Sequence, residues 1–346
     1  MSPVSLHGAP TRYGAGLREL GDGVYAWLQP NGALGESNAG LVVGDGESVL
    51  IDTLWDLPLT RRMVAAMAPH TARAPIRTLV NTHADGDHCW GNQLLDGATI
   101  IATGAAREDM TGEDPRVLRA LRAAGGALDP LARRAPSLPG AGLIAFAAQL
   151  RPFDFSGITV TLPGRTFEGR LELQIGGRTV ELIEVGPAHT PGDLVVHVPD
   201  ASAVFAADVL FIGCTPIMWV GPVERWLAAL DVIAEFAPRA IVPGHGPITD
   251  LQGVRAVRAY WEFIAAAVRE QVAAGMKPEA AAGEIVRSPE FRAQEFAGWD
   301  NPERMVVNAA AIARSDRDER GRIPDRERTA LLGAAGKLGL ELRPAG

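Results

Sequence analysis

Between Asn81 and His88 the chain reads Asn-Thr-His-Ala-Asp-Gly-Asp-His, which places four side chains able to ligate a metal, His83, Asp85, Asp87 and His88, close together. Gly86 in their midst permits backbone angles that can turn alternate residues toward one centre. Three more candidates recur downstream in Gly- and Pro-rich company. They are His189 in Gly186-Pro187-Ala188-His189-Thr190-Pro191-Gly192, Asp208 after Val204–Ala207, and His245 in Pro243-Gly244-His245-Gly246. A lone loop histidine is ordinarily solvated, and a lone strand-end aspartate is ordinarily a cap. Seven imidazoles and carboxylates recurring at strand ends are hard to obtain by chance and point instead to bound cations.

Each candidate needs a strand to carry it. Gly23–Gln29, Ala39–Val43 and Ser48–Asp52 are rich in β-formers and bounded by Gly, Asn and Asp. Pro58 opens a helical pattern through Met63 and Met67, and the strand Ile76–Val80 then runs directly into the first cluster. Strands resume at Thr159–Leu162, Arg170–Ile175, Thr179–Val185, Leu194–Val198 and Ala203–Ala206, followed by a helix over Val223–Phe236 and a short strand Ala240–Val242. Such alternation predicts a layered α/β sheet, and in open sheets of this kind ligands gather outside strand ends. Residues 105–155 interrupt the rhythm with a helical stretch, Pro115–Arg133, and a linker, Pro136–Gly142; they read as an insertion covering a pocket. From Leu251 the pattern turns helical, over Gly253–Ala274, Pro278–Val286 and Pro302–Ala313, and Ser315–Arg328 is a charge run that reads as a solvated face.

The chain has 346 residues, 33 Lys+Arg against 41 Asp+Glu, and a formal charge of −8. That balance disfavours nucleic acid or an anionic membrane as the main partner. Two cysteines, Cys89 and Cys214, exclude a disulfide-stapled scaffold and fit a reducing compartment. Met1–Leu20 lacks an apolar run of secretory length, and no stretch reaches the length of a membrane span, so a cytoplasmic protein is expected. Cys89, beside Trp90, reads as packing; His7 and His70 read as solvated, and His197 as a strand residue. Phe211, Ile212, Met218 and Trp219 either line an apolar substrate pocket or pack beneath the sheet.

The ordered set resembles the metallo-β-lactamase fold superfamily, whose signature is H-x-H-x-D-H followed by a His, a bridging Asp and a final His. The resemblance spans roughly Gly23–Asp250, and Asp52 and Gly91-Asn92 also match recurrent positions. It implies a four-layer αβ/βα sandwich with metals at one edge: residues 1–250 as the metal-binding domain and 251–346 as a helical C-terminal extension. That extension would support the sheet, make a homodimer contact, or shape the mouth of the site together with 105–155. Carried over residue by residue, one divalent ion takes His83, Asp85 and His189, a second takes Asp87, His88 and His245, and Asp208 bridges both. A metal-bridging hydroxide would then cleave an ester, lactone, thioester or amide-like bond in a small-molecule acyl substrate, with Asp87 and Asp208 as the catalytic carboxylates.

Position 85 departs from the signature, since Asp stands where the family pattern has His. Four neutral imidazoles and three carboxylates carry −3, which two divalent ions and one hydroxide cancel. The usual histidine would leave the centre at +1. Carboxylate is the harder ligand, so iron or manganese joins zinc, the leading choice, among the candidate metals. A non-haem diiron or manganese redox enzyme, related to the flavodiiron branch of the same superfamily, is therefore the alternative expectation.

Overall fold

Short β-branched runs separated by Gly and Asn turns pair into two sheets. A computed structural model describes residues 4–319, 321 and 323–342. The first sheet is laid down in chain order: β1 (Gly16–Gly21), β2 (Val24–Leu28), β3 (Ala39–Val43), β4 (Ser48–Ile51), β5 (Ile76–Val80), β6 (Thr99–Thr103) and β7 (Arg165–Phe167). The second runs in the order β12-β11-β10-β9-β8, from β8 (Arg170–Ile175), β9 (Arg178–Glu184), β10 (Leu194–Val198), β11 (Ala203–Phe211) and β12 (Ala240–His245). Pairing is antiparallel through β1–β4 and β8–β11, and parallel over β4–β7 and between β11 and β12.

The two sheets pack face to face through Val42, Val49, Ile51, Leu182, Val196 and Phe205. Gly40 on β3 is required here, because a Cβ would come within 2.3 Å of the Phe205 ring. Outside the first sheet, Leu41, Leu50 and Leu79 meet Met63 and Met67 of α1 (Leu57–Thr71). Beyond it in the chain come α2 (Gly86–Cys89), α3 (Gly104–Met110), α4 (Pro115–Arg134) and α5 (Ala141–Ala148). Outside the second sheet lie α6 (Val223–Glu235), α7 (Leu251–Ala273), α8 (Pro278–Arg287), α9 (Pro289–Arg292), α10 (Met305–Asp316) and α11 (Asp325–Leu342), with Trp226, Trp261 and Val307 buried among them. The layers run helix, sheet, sheet, helix, as expected. No described helix is long and apolar enough to cross a membrane.

Besides β11, which runs past the expected Ala203–Ala206 to Phe211, three expectations need correction. Thr159–Leu162 is not a strand. Thr159 N bonds Gln93 Oε1 at 2.6 Å and Asn92 Nδ2 bonds Thr161 O at 3.1 Å, so side chains take the place of a ladder and β7 forms past Pro163-Gly164. Ala240–Val242 extends to His245, because β12 is the sheet's edge and an edge strand tolerates Pro243. The charge run is not wholly a solvated face: Arg328 lies over the Trp219 ring at 4.4 Å, and its side chain is largely buried. Arg320 and Arg322 of that run, like Met1, Ser2 and Pro3 of the N-terminal stretch, lie outside the described residues.

Candidate metal centre and its pocket

The candidate ligands stand where strands of both sheets end at one edge. His83, Asp85, Asp87 and His88 follow β5, with α2 starting at Gly86. A Cβ on Gly86 would meet the Trp90 ring at 2.4 Å, so the tight turn between the two aspartates depends on glycine. His189 sits in the turn between β9 and β10. Asp193 braces that turn by accepting from Ala188 N at 3.0 Å, Thr190 N at 2.9 Å and the Thr190 hydroxyl at 2.6 Å. Asp208 lies within β11, directly after Ala207, where φ is +46° and the register with β12 shifts. That bulge re-aims the following side chain. His245 ends β12. Gly244 before it leaves room for Asp208, whose Oδ1 would lie 1.8 Å from any Cβ there.

All seven candidates converge. His83, His189 and Asp208 offer ligand atoms lying within 4.8 Å of one another, and so do Asp87, His88 and His245. Asp85 reaches the first group through Oδ2, 3.1 Å from His189 Nε2. Asp208 stands between the two: Oδ1 is 3.1 Å from His88 Nε2, and Oδ2 is 3.4 Å from His189 Nε2 and 3.5 Å from His245 Nε2.

Three of the four imidazoles are oriented from behind. His88 Nδ1 lies 2.9 Å from Asp52 Oδ2, and His189 Nδ1 lies 2.6 Å from the Ile217 carbonyl oxygen. His83 Nδ1 is 3.0 Å from the Thr82 hydroxyl, which donates to Asp52 Oδ2 at 2.7 Å and so accepts the ring proton. These contacts hold each proton on Nδ1 and turn the Nε2 lone pair inward. His83 Nε2 is buried with no hydrogen-bond partner among the described residues, and His88 Nε2 and Asp208 Oδ1, 3.1 Å apart, are buried without a well-formed hydrogen bond. Buried polar atoms left so are costly. Orphaned nitrogens converging on carboxylates fit a pair of divalent ions.

The electrostatics agree. Burial drives the His83 imidazole down to about 4, with His88 beside it adding to the effect. Burial also opposes charge on His189, but Asp208 and Asp85 overcome it and raise that ring to about 9. Against its own burial, Asp208 is held well below the carboxylate range by His245, His88 and His189. Cys89 is buried, its thiol raised well above the usual range and bonded to Ala84 O at 3.3 Å, so it packs as expected. His197 stays in its strand, 2.7 Å from Glu181 and stacked on Phe236. His7 and His70 are only partly solvated: His7 Nε2 bonds Leu34 O, and His70 lies against Tyr25.

Above the cluster opens a cavity of about 180 Å³, floored by Asp85, Asp87, His189, Asp208 and His245. Trp55, Trp90, Phe211 and Trp219 give it aromatic walls, whereas Met218 and Ile212 pack elsewhere. Leu118 and Phe146 from within 105–155, and Arg304, Val307 and Leu332 from the C-terminal helices, complete the lining. Of the readings open for those segments, the geometry agrees with the one in which both shape the mouth of the site. Sequence reasoning passes over Asp193, Arg304 and Asn308. Only Asp193 carries a local signal, as an aspartate just after the Thr-Pro-Gly turn.

Residues 32–245 match the family model described as Metallo-beta-lactamase superfamily. Among curated proteins, the 2,4-dinitroanisole O-demethylase subunit alpha of Nocardioides sp. (strain JS1661) is 25% identical over 245 residues. That match covers 68% of this chain and 60% of the relative, so the chain spans less than two thirds of that relative's length. Among solved structures, the inverting sec-alkylsulfatase Pisa1 from Pseudomonas sp. superposes with a TM-score of 0.62 at 17% identity, covering 87% of this chain and 50% of that one. A metallo-beta-lactamase from Pontibacter korlensis gives 0.50 at 16% identity, over 71% of this chain and 98% of that one.

Proposed function

This chain belongs to the metallo-β-lactamase superfamily, and from that premise we propose that it is a metal-dependent hydrolase cleaving an ester, lactone, thioester or amide-like bond in a small, largely apolar molecule. One observation carries the reading: four imidazoles turn inward and meet three carboxylates beneath an aromatic cavity, and two of them, His83 and His88, have Nε2 atoms that make no hydrogen bond among the described residues. His83, Asp85 and His189 would hold one divalent ion and Asp87, His88 and His245 another, with Asp208 shared. When bound, such ions supply a hydroxide nucleophile at neutral pH and Lewis acidity toward the oxygen that gains charge. Zinc is favoured, with iron or manganese admitted by Asp85.

The chain's own residues supply position and proton handling. Asp52 and Ile217 fix the rings of His88 and His189, so the ligands are set before substrate arrives. The Asp87 carboxylate opens to the cavity and can take or return a proton at the leaving group. The aromatic walls exclude water and suit an aryl or branched alkyl group. The buried cysteines fit a cytoplasmic setting.

A second reading has one observation in its favour. The curated relative is named an O-demethylase, and the aromatic walls would accept an aryl methyl ether, whose C–O bond is the target in place of an acyl bond.

A panel of an aryl acetate, a lactone, a thioester and anisole derivatives, assayed with and without chelator, tests the proposal. Chelator-sensitive turnover of an acyl substrate is expected. Turnover confined to the ethers selects the second reading, and none on any substrate overturns both.

A further inference from the structure

One residue of the cavity wall has no part in the hydrolysis described above. Arg304 is only 9% exposed, yet among the described residues no carboxylate comes within ion-pair reach of it. Among the described residues its guanidinium makes one hydrogen bond, from Nη1 to the Thr215 carbonyl oxygen at 2.9 Å. A guanidinium carries five N–H donors in a planar fork, so most of them have no protein acceptor. None of its nitrogens is among the fully buried atoms that lack a partner, so the unused donors open to the cavity, where an acceptor can reach them.

Its place is informative. The guanidinium lies over the Phe211 ring at 5.7 Å, and the same ring stacks on His245 at 5.0 Å with an interplanar angle of 2°. The unused donors therefore stand one ring away from a candidate ligand and border the same cavity. Fixing the loop after β11 does not require this charge. Asn308 already does so without one, accepting from Met218 N and donating to Pro216 O, each at 2.9 Å. The other charged wall residues have partners: Arg328 lies 3.9 Å from Glu113, and Glu303 accepts from Asn301 Nδ2 at 3.3 Å.

We propose that Arg304 is a substrate-binding residue that receives an anionic oxygen group, a carboxylate or a sulfonate-like group, on the part of the substrate remote from the bond cleaved. The inference rests on reading the cavity as the substrate pocket and is indifferent to which bond is broken. A fork of donors facing two coplanar oxygens gives both strength and orientation. A substrate so anchored presents its reactive end to the cluster across the width of Phe211.

Calorimetric binding to the protein as purified tests this without any turnover. Benzenesulfonate, a weak metal ligand, is compared with methyl phenyl sulfone, which has the same shape and no charge, and benzoate forms a third arm. At least one anion binds about tenfold or more tightly than the sulfone, as a charge-assisted pair requires, and the stronger of the two identifies the group. Arg304→Gln brings anion and sulfone to within about twofold. Should that variant lose the sulfone as well, Arg304→Lys decides: a reduced preference supports the proposal and an unchanged one overturns it. The proposal also fails if the wild-type protein prefers neither anion, or if the preference survives Arg304→Gln. Absence of chelator-sensitive turnover would remove the hydrolase reading and leave these outcomes as they stand.

Discussion

His88 and Asp52 are joined by a 2.9 Å contact between Nδ1 and Oδ2, made just past β4 by an aspartate with φ of +63°. Aspartate tolerates that left-handed backbone better than most residues. The carboxylate also accepts from Thr82 N at 2.8 Å and from the Thr82 hydroxyl, so one side chain sets the rings of two candidate ligands, His88 directly and His83 through Thr82.

Asp52→Asn keeps the size and the backbone preference but removes the charge and half of the accepting capacity. Metal affinity should fall about 10- to 100-fold, as when a partner behind a metal-bound histidine is removed. Competition with a chromophoric chelator measures this, and an affinity equal to wild type would count against the assignment of His88.

Asp85→His restores the family pattern and adds one positive charge to the centre. A more positive centre makes bound water more acidic, so the acid limb of the kcat profile should move to lower pH, by up to about one unit. Metal preference should move toward zinc in the same variant. A limb that stays put, or moves upward, would argue that Asp85 does not contact the metal.

Asn308→Ala removes three buried hydrogen bonds, to Met218 N, Pro216 O and the Tyr260 hydroxyl. Leaving those groups unsatisfied should cost about 2–4 kcal/mol, read as a shift in the denaturation midpoint with m unchanged. Loss below about 0.5 kcal/mol would show that the loop is held by other means.

Phe205→Ala opens a hole where the two sheets meet and Gly40 yields space to the ring. The expected loss is about 3–5 kcal/mol. Gly40→Ala should be comparably damaging from the opposite side, because β3 and the ring cannot both keep their places.

The candidate metal cluster was legible because its residues are chemically rare and closely spaced. His83 to His88 announce themselves within one loop, and the later ligands each follow a β-rich run between turn residues. The layered α/β fold was legible for the same reason. Arg304 was not, since it lies in a helical stretch where an arginine reads as a solvent-facing residue and only tertiary packing turns it inward. Arg328 was hidden in the same way, inside a charge run whose average is polar while one member stacks on Trp219. Thr159–Leu162 misled because its alternation is real, but Gln93 and Asn92 satisfy its backbone instead of a neighbouring strand. Asp208 was found as a strand-end residue, yet β11 continues through it to Phe211 and a bulge does the aiming.

Metal content of the protein purified without added metal, set beside that of His83→Ala and His245→Ala, is the most direct test of the centre. Each substitution removes a ligand from a different half of the cluster. The account predicts close to two divalent ions per wild-type chain and a loss of about one in each variant. A wild-type chain that binds no metal at saturating concentrations, or variants that keep both ions, would contradict it.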